Sequence, residues 1–297
     1  MRLIIQIPCF NEESTLPRTL SDLPASVDGV DEIQVLVIDD GSTDGTIQVA
    51  KDLGVDHILA LQRNRGLANA FSEGLKRSLV LGADIIVNTD GDHQYRGEDI
   101  PRIVAPIVNR HADMVVGDRQ VDTIPHFSMA KRRLQKLGSW IVRWSSGTEV
   151  VDATSGFRAI SRECALRMTI FSSYTYTLET IIQAGKKGLR VISIPVTTNE
   201  KLRESRLIRS TGRYVARSAV TIMRIFLMYE PLKVFASLSL VPLGMGLILF
   251  ARYLFYFWGG EGSGHVQSFV AASILVLLAF QVFLLGLLAD LIARNRR

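Results

Sequence analysis

The sequence predicts an α/β domain on a doubly wound, Rossmann-like sheet, followed by a two-helix hairpin suited to crossing a membrane. Three observations predict this. Short apolar, β-branched runs alternate with helical patterns through the first two hundred residues. Polar motifs stand directly after those runs. Residues 234–291 are almost entirely apolar, so the 47% hydrophobic share of the 297 residues averages a soluble part and an apolar part.

The strands come first. Leu3–Ile7, Ile33–Ile38, Ile85–Asn88 and Met114–Val116 are short and lack clean alternation, as strands buried on both faces do. Helical patterns lie between them, at Glu13–Leu23, Gly45–Leu53 and Leu67–Leu81. This βαβα order predicts right-handed crossovers and a ligand site at the carboxyl ends of the strands. The motifs PCFNEE, DDGSTDGT, TDGDHQ and GDR fall there, one after each strand.

The second half is basic and then apolar. Ser128–Ser146 reads as a helix with Lys131, Arg132, Arg133, Lys136 and Arg143, together with Trp140 and Trp144. Arg206, Arg209, Arg213, Arg217 and Arg224 share one face of a second helix, the pattern of a helix lying in a membrane interface. Val234–Trp258 and Ser268–Ala289 each exceed the roughly 20 residues needed to span a bilayer. Lys233 precedes them, Arg294, Arg296 and Arg297 follow, and the GGEGSGHVQ linker has no Lys or Arg. The positive-inside rule then places both termini and the α/β domain in the cytoplasm, on the inner membrane. The expected division is a catalytic domain (1–200), a juxtamembrane basic segment (201–233) and a hairpin (234–297, spans about 234–258 and 268–290). Gly244, Gly246 and Gly286 offer small residues through which the hairpin could form homo-oligomers.

Composition excludes several classes. From Lys201 to Lys233 there are eight Lys or Arg against two acids, and this cluster abuts the membrane spans, so anionic lipid is the expected partner rather than nucleic acid. Two cysteines, Cys9 and Cys164, make no disulfide framework and read as reduced thiols. The N-terminal apolar run is too short for a signal peptide. Two spans without an intramembrane acid pair make a poor conduction path. The glycine motifs of dinucleotide folds and P-loops do not occur with the first strands.

Candidate chemistry lies in the strand-end motifs. Asp90 and Asp92, two apart, can face one hard cation, Mg²⁺ or Mn²⁺, which commonly bridges carboxylates and a substrate diphosphate; Gln94 adds an oxygen. Asp39 and Asp40 can accept from a nucleobase or ribose, while Ser42 and Asp44 serve as cap and turn residues. Pro8, Phe10, Asn11 and Glu12 put an aromatic and an acid beside them, with N-capping by Asn11 as the plainer reading. His93 reads as a structural neighbour of the metal loop, since hard ions prefer oxygen. Glu179 reads equally as a substrate contact and as an ordinary helix residue.

In order along the chain stand P-x-F-N-E-E, V-I-D-D-G-S-T-D-G-T, N-x-G, D-G-D-x-Q, G-D-R, D-A-T-S-G-F-R-A (Asp152–Ala159) and R-E-S-R (Arg203–Arg206). Together they resemble the family 2 glycosyltransferases of the GT-A fold, nearest the dolichyl- and polyprenyl-phosphate branch. The resemblance covers about residues 1–230 and the two-helix anchor of the bacterial members. It implies an inverting transfer of sugar from a UDP- or GDP-sugar to a polyprenyl phosphate. It implies a donor pocket of Pro8, Phe10, Asn11, Glu12, Asp39, Asp40 and Gly66, with Asp90 and Ser205 at the diphosphate. It also implies a metal site of Asp90, Asp92 and Gln94. Arg119 and Arg133 would hold the acceptor phosphate, and Arg203 and Arg206 would close over the donor diphosphate. Many relatives read R-x-G-x-S-K at that last segment; here the glycine is missing and Arg206 replaces lysine. The alternatives are a hydroxyl acceptor, with Asp92 or Asp152 as base, and a non-catalytic nucleotide-sugar-binding membrane protein.

Overall fold

Leu3, Ile4, Ile5 and Ile7 are all fully buried, although successive side chains on a strand point to opposite faces. That requires cover on both sides of the sheet, and the computed structural model supplies it. The structure describes residues 1–120, 129–170, 176–199, 229–260 and 262–294, with positions 220, 223, 224 and 227. The expected interfacial helix Arg206–Arg224 lies almost wholly outside the described residues, as do Arg203, Ser205 and Arg206.

The strands are β1 (Arg2–Cys9), β2 (Glu32–Asp39), β3 (His57–Ala60), β4 (Ile85–Asn88), β5 (Met114–Asp118), β6 (Arg158–Ser161) and β7 (Val191–Pro195). They form one seven-stranded sheet in the order β3-β2-β1-β4-β6-β5-β7. Every pairing is parallel except those of β6, which runs antiparallel between β4 and β5. The sheet is therefore mixed. Its one reversed strand has a simple cause: Arg158 pairs with Asn88, so the chain enters β6 at the carboxyl edge of β4 and runs back.

The helices of this part are α1 (Leu16–Ser21), α2 (Thr46–Asp52), α3 (Leu67–Val80), α4 (Ile100–Val108), α5 (Met129–Ser146), α6 (Arg162–Leu166) and α7 (Thr177–Lys186). Leu3, Ile5, Ile7, Val87 and Val115 share a core with Ile100, Ile103 and Val104 of α4. On the other face, a Cβ at Gly74 of α3 would lie 2.7 Å from Gln6 Oε1 of β1, so α3 lies close on the sheet.

Cys9 and Cys164 are both buried free thiols. Burial pushes both above the usual thiol range, Cys164 to about 12. Since the thiolate is the nucleophile, neither should take up maleimide at neutral pH in the folded protein, and both should after unfolding. Mass spectrometry of the labelled chain checks this.

The chain divides into two compact units, Met1–Ser218 and Ala219–Arg297. In the second, α8 (Pro231–Trp258) and α9 (Val266–Arg294) pack against each other. Stretches of mean hydropathy 2.2 and 2.6 run through them, and only 11% and 17% of these are buried. A core helix of a soluble protein would be covered; these apolar faces are not. They are long and apolar enough to cross a membrane. A Cβ at Gly246 would lie 3.1 Å from Val276 Cγ2, and one at Gly286 2.6 Å from Phe235 Cβ. Two of the three glycines expected on a self-association surface thus face the other helix of their own hairpin, whereas a Cβ at Gly244 meets nothing within 4 Å.

Candidate active site

The site is built where β1, β2, β4 and β5 end. At the β1 and β2 ends, two loops are stitched together. Asn11, at φ +56°, donates its N–H to Ser42 Oγ (2.8 Å) and accepts at Oδ1 from Thr43 N (2.8 Å). Glu12 N donates to Thr46 Oγ1 (2.8 Å), and Glu12 Oε2 accepts from Thr15 Oγ1 (2.8 Å). Asn11 is therefore a bridge between loops, not the N-cap of α1; that position is Thr15. Ser42 likewise does not cap α2. Asp44 does the turn chemistry, accepting from Thr46 N at 3.1 Å.

Asp39 and Asp40 are adjacent, nearly fully buried and differently employed. Asp40 accepts the N–H of Arg65 at Oδ1 and of Gly66 at Oδ2, both at 2.8 Å. Burial raises its carboxyl above the ordinary value, and those two N–H groups oppose the rise. Asp40 thus pins the loop before α3, where Gly66 takes φ +89°, a region that favours glycine. Asp39 accepts Ser42 N at Oδ2 (3.1 Å), but its Oδ1 is buried with no partner among the described residues. A buried orphan acceptor costs about 1–3 kcal/mol, which a donor on a bound nucleobase or ribose would offset.

At the end of β4, Asp90 and Asp92 are half-buried. Asp92 Oδ1 accepts Gln94 N (3.2 Å), so the three sequence-predicted oxygen donors share one loop. A Cβ at Gly156 would lie 3.2 Å from both Asp90 carboxylate oxygens, so the glycine leaves Asp90 its room. Among the described residues no three His, Cys, Asp or Glu side chains converge into a cage. Two carboxylates and an amide oxygen are all hard donors. They fit a Mg²⁺ or Mn²⁺ ion that completes its shell with substrate oxygens and water, not one enclosed by protein alone.

The loop that bears Asp90 and Asp92 is clasped from the side by the segment after β7. Asn199 N donates to Gln94 O (2.9 Å), and Asn199 Nδ2 lies 3.1 Å from His93 O and 3.2 Å from His93 Nε2. Arg96 Nε reaches Asn199 Oδ1 (3.1 Å). His93 stands at φ +56°, between Asp92 and Gln94, so Asn199 holds the loop at its bend. Asn199 thus meets both the backbone and the ring of His93. Asn199→Ala should weaken Mn²⁺ binding about 10–100-fold, the scale of losing an outer-shell partner. Electron paramagnetic resonance titration checks this.

The GDR motif closes the site. Arg119 is mostly buried and forks onto Asp152, with Nε–Oδ2 at 2.7 Å and Nη2–Oδ1 at 3.0 Å, and donates to Thr154 Oγ1 at 2.7 Å. Burial works against its charge, and Asp152 more than offsets this, so the guanidinium is held above its ordinary value. Its Nη1 makes no hydrogen bond among the described residues. Both oxygens of Asp152 are occupied, and it is 2% exposed. That is a poor position for a general base. Arg133 lies on α5, with its side chain outside the described set.

Several contributors were not singled out from sequence. Tyr95 OH accepts Gly156 N (3.1 Å), and Asn88 Nδ2 donates to Gly156 O and Tyr176 OH, both at 2.9 Å. Arg158, fully buried, holds the 153–156 turn from behind, with Nε to Ser155 O (2.9 Å) and Nη2 to Ala153 O (3.1 Å). Burial draws it down to about 10, so it stays charged at neutral pH. The signal was the D-A-T-S-G-F-R-A run, legible as a motif but not as a set of contacts. Glu179 is 1% exposed, which rules out an ordinary exposed helix residue.

The family profile described as glycosyl transferase family 2 matches residues 4–174, and that of the GtrB C-terminal hairpin matches residues 230–294. The chain is 30% identical over 236 residues to an undecaprenyl-phosphate mannosyltransferase of Micrococcus luteus, covering 75% of this chain and 93% of that protein. It is 30% identical to glycosyltransferase AglJ of Haloferax volcanii, over 99% of this chain and 94% of the relative. Among solved structures, it is similar to glucosyl-3-phosphoglycerate synthase of Mycobacterium tuberculosis in complex with Mn²⁺, UDP and glucosyl-3-phosphoglycerate. That likeness has a TM-score of 0.56 at 20% identity, covering 74% of this chain and 79% of the other, and it shows the GT-A fold alone. With the motifs, the mixed sheet and these matches in agreement, the chain is a glycosyltransferase and belongs to glycosyl transferase family 2.

Proposed function

We propose that this enzyme transfers a sugar from a UDP- or GDP-sugar to a polyprenyl phosphate, with inversion, at the cytoplasmic face of the inner membrane. The proposed organisation is a catalytic domain (1–200), a juxtamembrane segment (201–233) and a membrane hairpin (234–297). One observation carries the acceptor assignment: a mostly buried guanidinium, Arg119, whose Nη1 makes no hydrogen bond among the described residues, beside the loop that bears Asp90 and Asp92. A site for an anionic acceptor needs such a cation; a site for a hydroxyl needs a base. Asp152, a candidate base, is taken up by Arg119. The name of the Micrococcus luteus relative supports the same acceptor.

The chemistry is a displacement. The anomeric C–O bond to the nucleoside diphosphate breaks, and a bond from the same carbon to a lipid-phosphate oxygen forms on the opposite face. Asp39 and the Phe10–Glu12 loop hold the nucleoside. Asp90, Asp92 and Gln94 would hold Mg²⁺ or Mn²⁺, which supplies charge for the leaving diphosphate. Arg119, with Arg133, binds the acceptor phosphate and keeps it near the anomeric carbon despite the repulsion of two anions. A phosphate is already ionised at neutral pH, so no proton need be removed. Positioning and fixed charge supply the rate.

The test uses the full chain in detergent, with a panel of labelled UDP- and GDP-sugars. Each is offered with polyprenyl phosphate or with the unphosphorylated polyprenol. The expected result is metal-dependent labelling of the phosphate alone, from one donor. Labelling of the free alcohol would overturn the acceptor assignment.

A further inference from the structure

The turn from Asp152 to Gly156 joins the two charged halves of the site. Its first residue holds Arg119 in a fork, and Thr154 Oγ1 adds a further bond to the same guanidinium. Its last residue backs onto Asp90. A Cβ at Gly156 would lie 3.2 Å from both Asp90 carboxylate oxygens and 3.0 Å from Tyr176 OH. One short run of backbone thus lies against both the guanidinium and the carboxylate.

That run is tied down along its length. Ala153 N donates to Ser139 Oγ (3.2 Å) and Thr154 N to Asp152 Oδ1 (3.2 Å). Ser155 N donates to Asp152 O (3.3 Å) and Gly156 N to Tyr95 OH (3.1 Å). Gly156 O accepts from Asn88 Nδ2 (2.9 Å), and Asn88 Oδ1 is held in turn by Gln6 Nε2 (2.9 Å). The carbonyls of Ala153 and Ser155 are held together by one side chain, Arg158, through Nη2 (3.1 Å) and Nε (2.9 Å). Its Nη1 is anchored on Thr180 Oγ1 of α7, and its guanidinium lies 5.6 Å from the centre of the Tyr176 ring.

Arg158 is fully buried, and the three oxygens it bonds are all neutral. A buried charge without a bonded carboxylate is costly to stability. A neutral side chain could fill the space or satisfy one carbonyl. Two carbonyls and a helix anchor, met at once, need a planar fork with several N–H groups, which only arginine has. Arg158 makes no hydrogen bond to Asp90 or Arg119, so whatever it does for them passes through the turn.

We propose that Arg158 is a positioning residue for both halves of the site. It fixes the Asp152–Gly156 turn, and the turn sets Asp90 and Arg119 at one separation. A donor diphosphate on the metal and an acceptor phosphate on Arg119 then meet at a constant distance. The metal half rests on the divalent-ion reading of Asp90 and the acceptor half on the lipid-phosphate reading above, and the two are measured separately.

The test is Arg158→Lys in the full chain in detergent, since lysine keeps the charge without the fork. Electron paramagnetic resonance titration gives the Mn²⁺ affinity with no nucleotide or acceptor present. Initial rates give KM for polyprenyl phosphate. The Mn²⁺ dissociation constant and this KM should each rise about tenfold. Nucleotide should bind without metal as in the wild type, because Asp39 stands on a different strand end. A residue that only supports the fold would reduce the folded fraction: kcat and the number of Mn²⁺ sites would fall and neither affinity would move. That result overturns the proposal, as does a shift in one affinity alone. If the lysine variant does not fold, Thr180→Val removes the Nη1 anchor at nearly constant volume. Both constants should then rise about threefold, the scale of one lost hydrogen bond, and no change in them overturns the proposal. A wild-type enzyme that binds Mn²⁺ but transfers nothing to lipid phosphate rejects the acceptor reading instead, and the Mn²⁺ affinity of Arg158→Lys then decides the metal half by itself.

Discussion

Asp92→Ala is expected to lower sugar transfer on the order of a thousandfold while the protein stays folded. Asp92 is half-buried, and its one hydrogen bond among the described residues is from Gln94 N at 3.2 Å. Its loss breaks little. The loop keeps its shape through Asn199, which bonds to Gln94 O and His93 O. What disappears is one of two carboxylates that would place a divalent ion at the donor diphosphate. The leaving group would then carry its charge unsupported in the transition state. Nucleotide should still bind weakly without metal, because Asp39 stands on a different strand end. Initial rates, isothermal titration with nucleotide alone and a thermal melt separate these effects. A melt like that of the wild type with a thousandfold rate loss fits the assigned role; an active Asp92→Ala enzyme does not.

The largest effect on stability should come from Asp152→Ala. Arg119 and Asp152 form a buried, forked ion pair, with side-chain exposures of 11% and 1%. Removing the carboxylate leaves a mostly buried guanidinium with Thr154 Oγ1 as its one remaining partner among the described residues. Breaking a buried pair on one side costs about 3–5 kcal/mol. The turn from Asp152 to Gly156 would lose its tie to Arg119, though Arg158 would still hold Ala153 and Ser155. Activity should fall with it, since Arg119 would no longer be aimed. Chemical denaturation gives the stability change, and KM for the lipid acceptor gives the aim. Arg119→Lys with wild-type Asp152 separates the two, because lysine keeps the charge but not the fork. Its stability loss should be smaller and its acceptor KM still raised.

Legibility from sequence followed burial. The fully buried strands β1 and β4 show as continuous apolar runs, as do β5 and the inner half of β2. The half-exposed edge strand β3, with His57 in it, and the partly exposed β7 do not. The reversal of β6 is a property of where the chain re-enters the sheet, which no local pattern records. The strand-end acids stand where the motifs put them, because a motif after an apolar run is placed by the run. Their division of labour was not legible. Asp39 and Asp40 are neighbours of one type, yet Asp40 is tied to a loop 25 residues on, and Asp39 keeps an oxygen for something else. Asn199 acts through a backbone carbonyl 106 residues away, a contact that no spacing reveals, whereas Arg158 holds carbonyls only three and five residues before it. The hairpin was legible throughout, since length and apolarity alone specify it.

The central claim is that a lipid phosphate oxygen attacks the anomeric carbon. The most direct test is to isolate the product lipid and read its phosphorus and proton NMR spectra. The account predicts one phosphodiester resonance, coupled to an anomeric proton whose configuration is opposite to that in the donor. A pyrophosphate-linked sugar, or a glycoside of a lipid hydroxyl with no phosphorus on the anomeric oxygen, would contradict it.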